Sequence, residues 1–351
     1  GLLGTGAREV ASWQLAVLDG LGQGLQNSSR SLEQMWDKPP SALKDALAGV
    51  RPLFERAANV SRDAKHSPVE RIAALHLLSR GPHALLASAA PELLTPRTPP
   101  EVQSATVRAL SLHPRPDVAG LLLTAWNGYS PTVRREVVEA LFARADRLPH
   151  LLNAIEQKKV LSNQLEPLRI EQLRKHASAK IRERARRLLV GQAAPERRKI
   201  VAAYRAALDR KAEAAHGKAV FKKNCVVCHR LENEGFEVGP DLLSALRNKS
   251  GEQLLNDILD PSREVDPRYL NYQITTKKGQ VFSGLIAADT ASSVTLRRGE
   301  KAEDTILRQQ IEEIQATGKS LMPEGLETQL SKQDVADLIV YLQAAAAHRK
   351  N

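Results

Sequence analysis

The 351-residue chain contains two cysteines, and both lie in one short run, Cys225-Val-Val-Cys228-His229. Thiols three residues apart can each add to one vinyl group of a single haem while the next residue places an imidazole on its iron. The run therefore reads as the attachment site of one covalent c-type haem, haem c. The same thiols would also serve a thioredoxin-like dithiol or half of a zinc site. A dithiol of that kind follows a strand, whereas residues 212–224 have helical character; a zinc site needs a further Cys or His pair, and none follows at finger spacing.

Iron held by one imidazole keeps a sixth position. The chain has two methionines, Met35 and Met322. Met322 stands in Ser320-Leu-Met-Pro323-Glu-Gly325, where proline and glycine can fix an exposed backbone and turn the thioether inward. A Met/His pair raises the reduction potential and keeps oxygen off the iron. Methionine also fills gaps in apolar cores, and His216 and His348, both expected on helix surfaces, are the rival ligands. The metal-ligating candidates are thus His229 and Met322.

The elements that must position these groups follow from local signals. Residues 212–224 form a helix running into the cysteines, and a second helix starts at Ser250, where Gln253 completes a capping box, and stops at Asp260-Pro261. Between about 268 and 316, alternating and β-branched residues predict three or four antiparallel strands separated by polar turns. The chain closes on a helix capped by Ser331 with Asp334 and apolar at Val335, Leu338, Ile339 and Leu342. This β insertion lengthens the gap between His229 and Met322; it would shield one haem edge or dock a partner, and the sequence does not choose.

The first part of the chain has a different texture. Val or Ile followed by a polar residue, with Leu eight positions later, recurs at Val69, Val102, Val133 and Ile181, closing at Leu77, Leu110, Leu141 and Leu189. Spacings of 33, 31 and 48 residues, with helices starting at Pro68, Pro100 and Pro131, predict stacked helix pairs: an α-solenoid, with the extra residues 161–177 an added helix. An irregular helical bundle is the plainer alternative. Aromatics make up 4% of the chain, which favours helix packing over an all-β fold. The expected domains are 1–208, helical repeats, and 209–351, the haem domain.

Charge separates the same two regions. Of 51 Lys and Arg and 40 Asp and Glu, residues 211–351 hold 19 and 20, leaving 32 and 20 in the first 210, an excess of +12. A run of Arg182, Arg184, Arg186, Arg187, Arg197, Arg198 and Lys199 contributes to it, although such runs are usually solvated helix faces. No stretch reaches the roughly 20 apolar residues that span a bilayer. Apolar spacing at Val10, Trp13, Val17 and Leu18 reads as helix from the outset, so Gly1 is taken as a cut inside a longer protein.

The residues GKAVFKKNCVVCHR, VGPDL, LLNDILDPSREVDPRY, TTKKGQVFSGLIAAD, SLMPEGLE and DVADLIVYL resemble the haem-binding cytochrome c domain of planctomycete and verrucomicrobial proteins, a class I-like domain often preceded by HEAT-like repeats and, before those, by a propeller resembling sugar dehydrogenases. No propeller lies in this chain, so dehydrogenase activity does not carry over. The resemblance implies that Gly217 and Phe221 meet Tyr341 at a close helix crossing, and that the Pro240 carbonyl accepts the His229 Nδ1–H; the plainer alternative is that Gly239-Pro240 is only a turn.

Taken together, these readings give a mainly α protein: a HEAT-like α-solenoid, then a class I-like cytochrome c domain with a small antiparallel β insertion. The expected function is single-electron transfer between a periplasmic dehydrogenase and a downstream acceptor, with the basic repeats as docking domain. The chain is read as an electron carrier rather than an enzyme, or as a fragment of a larger dehydrogenase. An extracytoplasmic, periplasmic address suits covalent haem and the lack of other cysteines, and argues against nucleic acid as a partner. The rivals are a haem enzyme or gas sensor with an open sixth position, and a basic solenoid that binds acidic partners.

Overall fold

A computed structural model describes residues 32–189 and 195–347. The helix expected over 10–18, and His348, lie outside them. The chain forms two compact units, Gly1–Ala154 with Thr290–Ser292, and Ile155–Asp289 with Ser293–Asn351. Among the described residues no helix is long and apolar enough to cross a membrane.

The first unit is helical: α1 (Leu32–Asp37), α2 (Lys44–Arg62), α3 (Pro68–Leu78), α4 (His83–Leu93), α5 (Pro100–Ser111), α6 (Val118–Thr124), α7 (Pro131–Phe142) and α8 (Leu148–Glu156), which leads into the second unit. Successive helices pack as pairs, and alternate helices also touch: α3 lies on α5 and α5 on α7, while α2 meets α4 and α4 meets α6. The prolines stand at the first helical position of α3, α5 and α7 as expected, where the missing N–H costs no bond.

A second recurring feature was not read from the sequence. Three residues after each of these prolines stands a long polar side chain, Arg71, Gln103 or Arg134, and each is buried. Each donates back to backbone carbonyls ahead of its own helix: Arg71 Nε to Ser61 O (2.8 Å), Gln103 Nε2 to Thr98 O (3.0 Å), Arg134 Nε to Trp126 O (3.2 Å) and Nη2 to Asn127 O (3.1 Å). A buried polar side chain is stable there because its donors are bonded.

The second unit contains α9 (Pro167–Arg174), α10 (Ala179–Leu188), α11 (Pro195–Tyr204), α12 (Ala214–Asn224), α13 (Leu242–Ala245), α14 (Gly251–Leu259) and α15 (Lys332–Ala347). The added helix expected within 161–177 is α9. Helix α11, grouped by sequence with the repeats, packs on α14, and α15 lies against α12, α13 and α14. The β insertion has five strands, more than the three or four expected: β1 (Leu270–Thr276), β2 (Val281–Asp289), β3 (Ser293–Arg297), β4 (Glu303–Leu307) and β5 (Ile311–Ser320). They form one antiparallel sheet ordered β4-β3-β2-β1-β5. The run over 304–316 splits into two strands at Arg308, whose buried guanidinium pairs with Asp289.

The repeated apolar positions are buried at Leu77, Val102, Leu110, Val133, Leu141, Ile181 and Leu189, but Val69 is 76% exposed. It follows Pro68 at the second helical position of α3, on the solvent side. Val102→Ala should therefore cost roughly 2 kcal/mol through lost burial and a residual cavity. Val69→Ala should stay within about 0.5 kcal/mol. Denaturant midpoints of the two variants check this, and equal losses would show that the repeat register is misassigned.

Candidate functional site

Helix α12 delivers the chain to the cysteines. The Cys225 N–H closes its last turn on Phe221 O (2.8 Å), and the Cys228 and His229 N–H groups then both donate to Cys225 O (3.1 and 2.9 Å). Two thiols and an imidazole so leave one tight turn. The segment that follows folds back on it: Phe236 N–H bonds Val226 O (3.0 Å), and the Val238 and Gly239 N–H groups bond Cys228 O (3.0 and 2.8 Å).

Helix α15 braces this turn from behind. A Cβ on Gly217 would sit 2.0 Å from the Asp337 carbonyl oxygen and 2.8 Å from the Tyr341 Cβ, so only glycine permits the crossing. The Phe221 and Tyr341 rings lie 5.7 Å apart, tilted by 55°, as the resemblance implied. Tyr341 donates its hydroxyl to Glu232 Oε2 (3.1 Å) in the loop after His229. Asp337, itself buried, accepts the Glu213 N–H (2.8 Å) at the start of α12, the Gln333 amide (3.0 Å) and the His216 ring N–H (2.7 Å). Burial alone would raise its pKa; these donors outweigh that and hold the carboxyl below its ordinary range.

The His229 ring lies against the backbone of Gly239, where a Cβ would fall 2.5 Å from Cε1. Its Nδ1 is buried and has no hydrogen-bond partner of full geometry. Burial lowers the imidazole pKa, with the Pro240 carbonyl pulling the other way, so the ring is held neutral, the form that ligates metal. Both cysteines are unpaired. Burial, together with the neighbouring Cys228 thiol, pushes Cys225 up to about 12, and burial raises Cys228. Reactive redox dithiols depend on lowered thiol pKa values, and this setting does the reverse. Among the described residues no group of three or more His, Cys, Asp or Glu side chains is placed to hold a metal ion by itself.

Met322 lies half-buried on the loop from β5 to α15. Its N–H bonds Ser320 Oγ (3.1 Å), the Leu321 N–H bonds Tyr269 O (3.3 Å), and Gly325 takes a left-handed φ of +98°. The His216 ring is hydrogen-bonded to Asp337 (2.7 Å); Met35 lies in α1, in the other unit. Sequence reasoning missed one neighbour of the turn: between β3 and β4, Gly299 backs onto Val227, and the Glu300 N–H bonds Val227 O (2.7 Å). The Arg-Arg-Gly-Glu-Lys stretch signals a turn, but nothing in it names this contact. Within the basic run, Arg184 and Arg187 pair with Glu156, Arg182 and Arg186 bond backbone carbonyls, and Arg197 is buried.

The donor set suits a covalently held haem: two unpaired thiols, a buried imidazole, and the Gly239 backbone packed against its ring. Comparison with known proteins agrees. Residues 214–291 match the family model for cytochrome c. Residues of this chain are also 27% identical over 59 positions to a cytochrome c-553-like protein of Synechocystis sp.; the match covers 17% of this chain and 55% of that protein's length. The match supports a c-type cytochrome domain in this chain, with covalently bound haem c as its cofactor. The family match ends before Met322 and α15.

If Cys225 and Cys228 form the covalent tethers, wild-type chain should keep its haem on a denaturing gel stained for haem peroxidase activity. The Cys225→Ala/Cys228→Ala variant should lose it completely, while folding may be followed separately by helical circular dichroism. Haem released from denatured wild type would refute thioether attachment.

Proposed function

We propose that the chain is a monohaem electron carrier in which Cys225 and Cys228 hold the haem through thioethers, His229 is the proximal ligand, Pro240 orients its ring, and Met322 fills the sixth position. The observation that carries this reading is the single tight turn that presents both thiols and a buried imidazole packed against Gly239. Bound there, the haem supplies one-electron redox chemistry. The residues of the chain attach it, set its ligands and exclude water: Gly239 lets the ring pack flat, and the α12–α15 crossing keeps the turn rigid.

The finer reading follows the resemblance. A HEAT-like solenoid, read from the sequence as residues 1–208, precedes a haem domain of planctomycete and verrucomicrobial type, read as 209–351, with α11 packing on the haem-domain side of that boundary. In a periplasmic setting the domain passes single electrons from a dehydrogenase to a downstream acceptor. The +12 excess of the first 210 residues draws an acidic partner surface: internal ion pairs consume individual arginines, but the long-range field depends on net charge.

Two measurements test these proposals. Oxidised wild type should be six-coordinate and low-spin, binding cyanide slowly; Met322→Ala should become high-spin or water-ligated, bind cyanide and, when reduced, carbon monoxide readily, and lose potential. A spectrum unchanged by the substitution would instead favour an open sixth site, as in a haem enzyme or gas sensor. Reduction by the partner dehydrogenase should slow steeply as added salt shrinks the Debye length from about 30 to 8 Å; a rate indifferent to salt would remove the docking role of the basic region.

A further inference from the structure

We infer that Arg197 and Tyr204, on the helix before the family-matched segment, are positioning residues for the loop that presents Met322. The inference rests on the reading of Met322 as sixth ligand.

Between Ser320 and Ser331 the chain has no regular structure beyond a short 3₁₀ turn, so the place of Met322 is set by what grips the loop at each end. The front end is held by Ser262 Oγ, which accepts the Ser320 N–H (3.3 Å), and by Tyr269 O, which accepts the Leu321 N–H. The back end is held by α11. Arg197 donates Nη1 to Glu327 Oε1 (2.6 Å) and Nη2 to Oε2 (2.8 Å), a bidentate pair whose side chains are only 10% and 15% exposed. Its Nε also donates to Leu259 O (2.9 Å), tying the same fork to the end of α14. The Tyr204 hydroxyl sits 3.0 Å from Glu327 O and 2.7 Å from Leu330 O, sharing its proton between them.

This arrangement is costly as a source of stability, since burying an ion pair gives up hydration that its attraction barely returns. Its distinguishing property is geometric. A planar guanidinium with five fixed donors specifies the position and the rotation of a carboxylate, which a lysine cannot do. One guanidinium fixes a loop carboxylate against a helix-end carbonyl, and one phenol fixes two loop carbonyls. The six residues from Met322 to Glu327 are then bounded on both sides, and the thioether needs no packed helix to hold it.

The test uses the full-length haem-loaded protein and three readouts: the Met-to-ferric-iron charge-transfer absorption, the reduction potential, and the rate of cyanide binding. Arg197→Ala and Glu327→Gln should weaken the absorption, lower the potential and speed cyanide binding about tenfold, the scale on which loss of an outer-shell partner is felt at metal sites. Arg197→Lys should recover thermal stability and still fall short of wild type in all three, because it keeps charge without the fork. Arg205→Ala removes an exposed pair with Glu252 one residue past α11 and should change none of them. Should Arg197→Ala fail to fold, the nearly isosteric Glu327→Gln decides. If Met322→Ala leaves the spectrum and cyanide rate unchanged, both the ligand assignment and this inference fall. If Met322→Ala opens the iron while the Arg197 and Glu327 variants keep wild-type absorption, potential and cyanide rate, the inference alone is overturned.

Discussion

The approach of α12 to α15 at Gly217 is the constraint on which the haem unit depends. With a carbonyl oxygen 2.0 Å from where a Cβ would stand, the two backbones touch, and any side chain at this position would push them apart. Helix α12 ends where the cysteines begin, and α15 begins where the Met322 loop ends. One contact therefore sets the cysteine turn and the Met322 loop relative to each other. Phe221 and Tyr341 pack beside it, and Tyr341 reaches on to Glu232 in the loop after His229, so the same helix pair also steadies the segment that folds over the ring.

Around this contact the unit buries polar side chains where backbone groups would otherwise lack partners. Asp337 on α15 caps the start of α12 through the Glu213 N–H, and the bonds it gathers keep a buried carboxylate ionised. Arg197 does the converse for a helix end, donating to the last carbonyl of α14. In the first unit Arg71, Gln103 and Arg134 serve backbone carbonyls that precede α3, α5 and α7. A polar group removed from water costs stability unless it is paired, so each of these fixes the direction of an element as well as satisfying a bond.

The β insertion gains a defined place from the same geometry. Its β3–β4 turn sits against Val227 in the attachment turn, with left-handed φ values at Glu300 and Lys301 of +58° and +59°. The bond from the Glu300 N–H to Val227 O ties a sheet inserted late in the chain to the residues between the two cysteines. Val227 remains 41% exposed, so the insertion braces the turn without sealing it.

The sequence alone determined the chemistry and the local elements. Two thiols and an imidazole at fixed spacing admit few uses, helix starts are written in Pro68, Pro100, Pro131, Ser250 and Ser331, and the alternation of 268–316 marks a sheet. These signals are local: each depends on residues within a few positions of one another. Tertiary structure decided what lies far apart in the chain. It placed α11 with the haem unit through Arg197 and Glu327, 130 residues apart, and it brought Glu300 to Val227. It left Val69 in solvent although its repeat partners are buried, and it broke one expected strand at Arg308 because a buried guanidinium found Asp289. Arginine and glutamate carry no mark in a sequence that separates a solvated side chain from a buried pair; that difference arises only when packing excludes water from one of them.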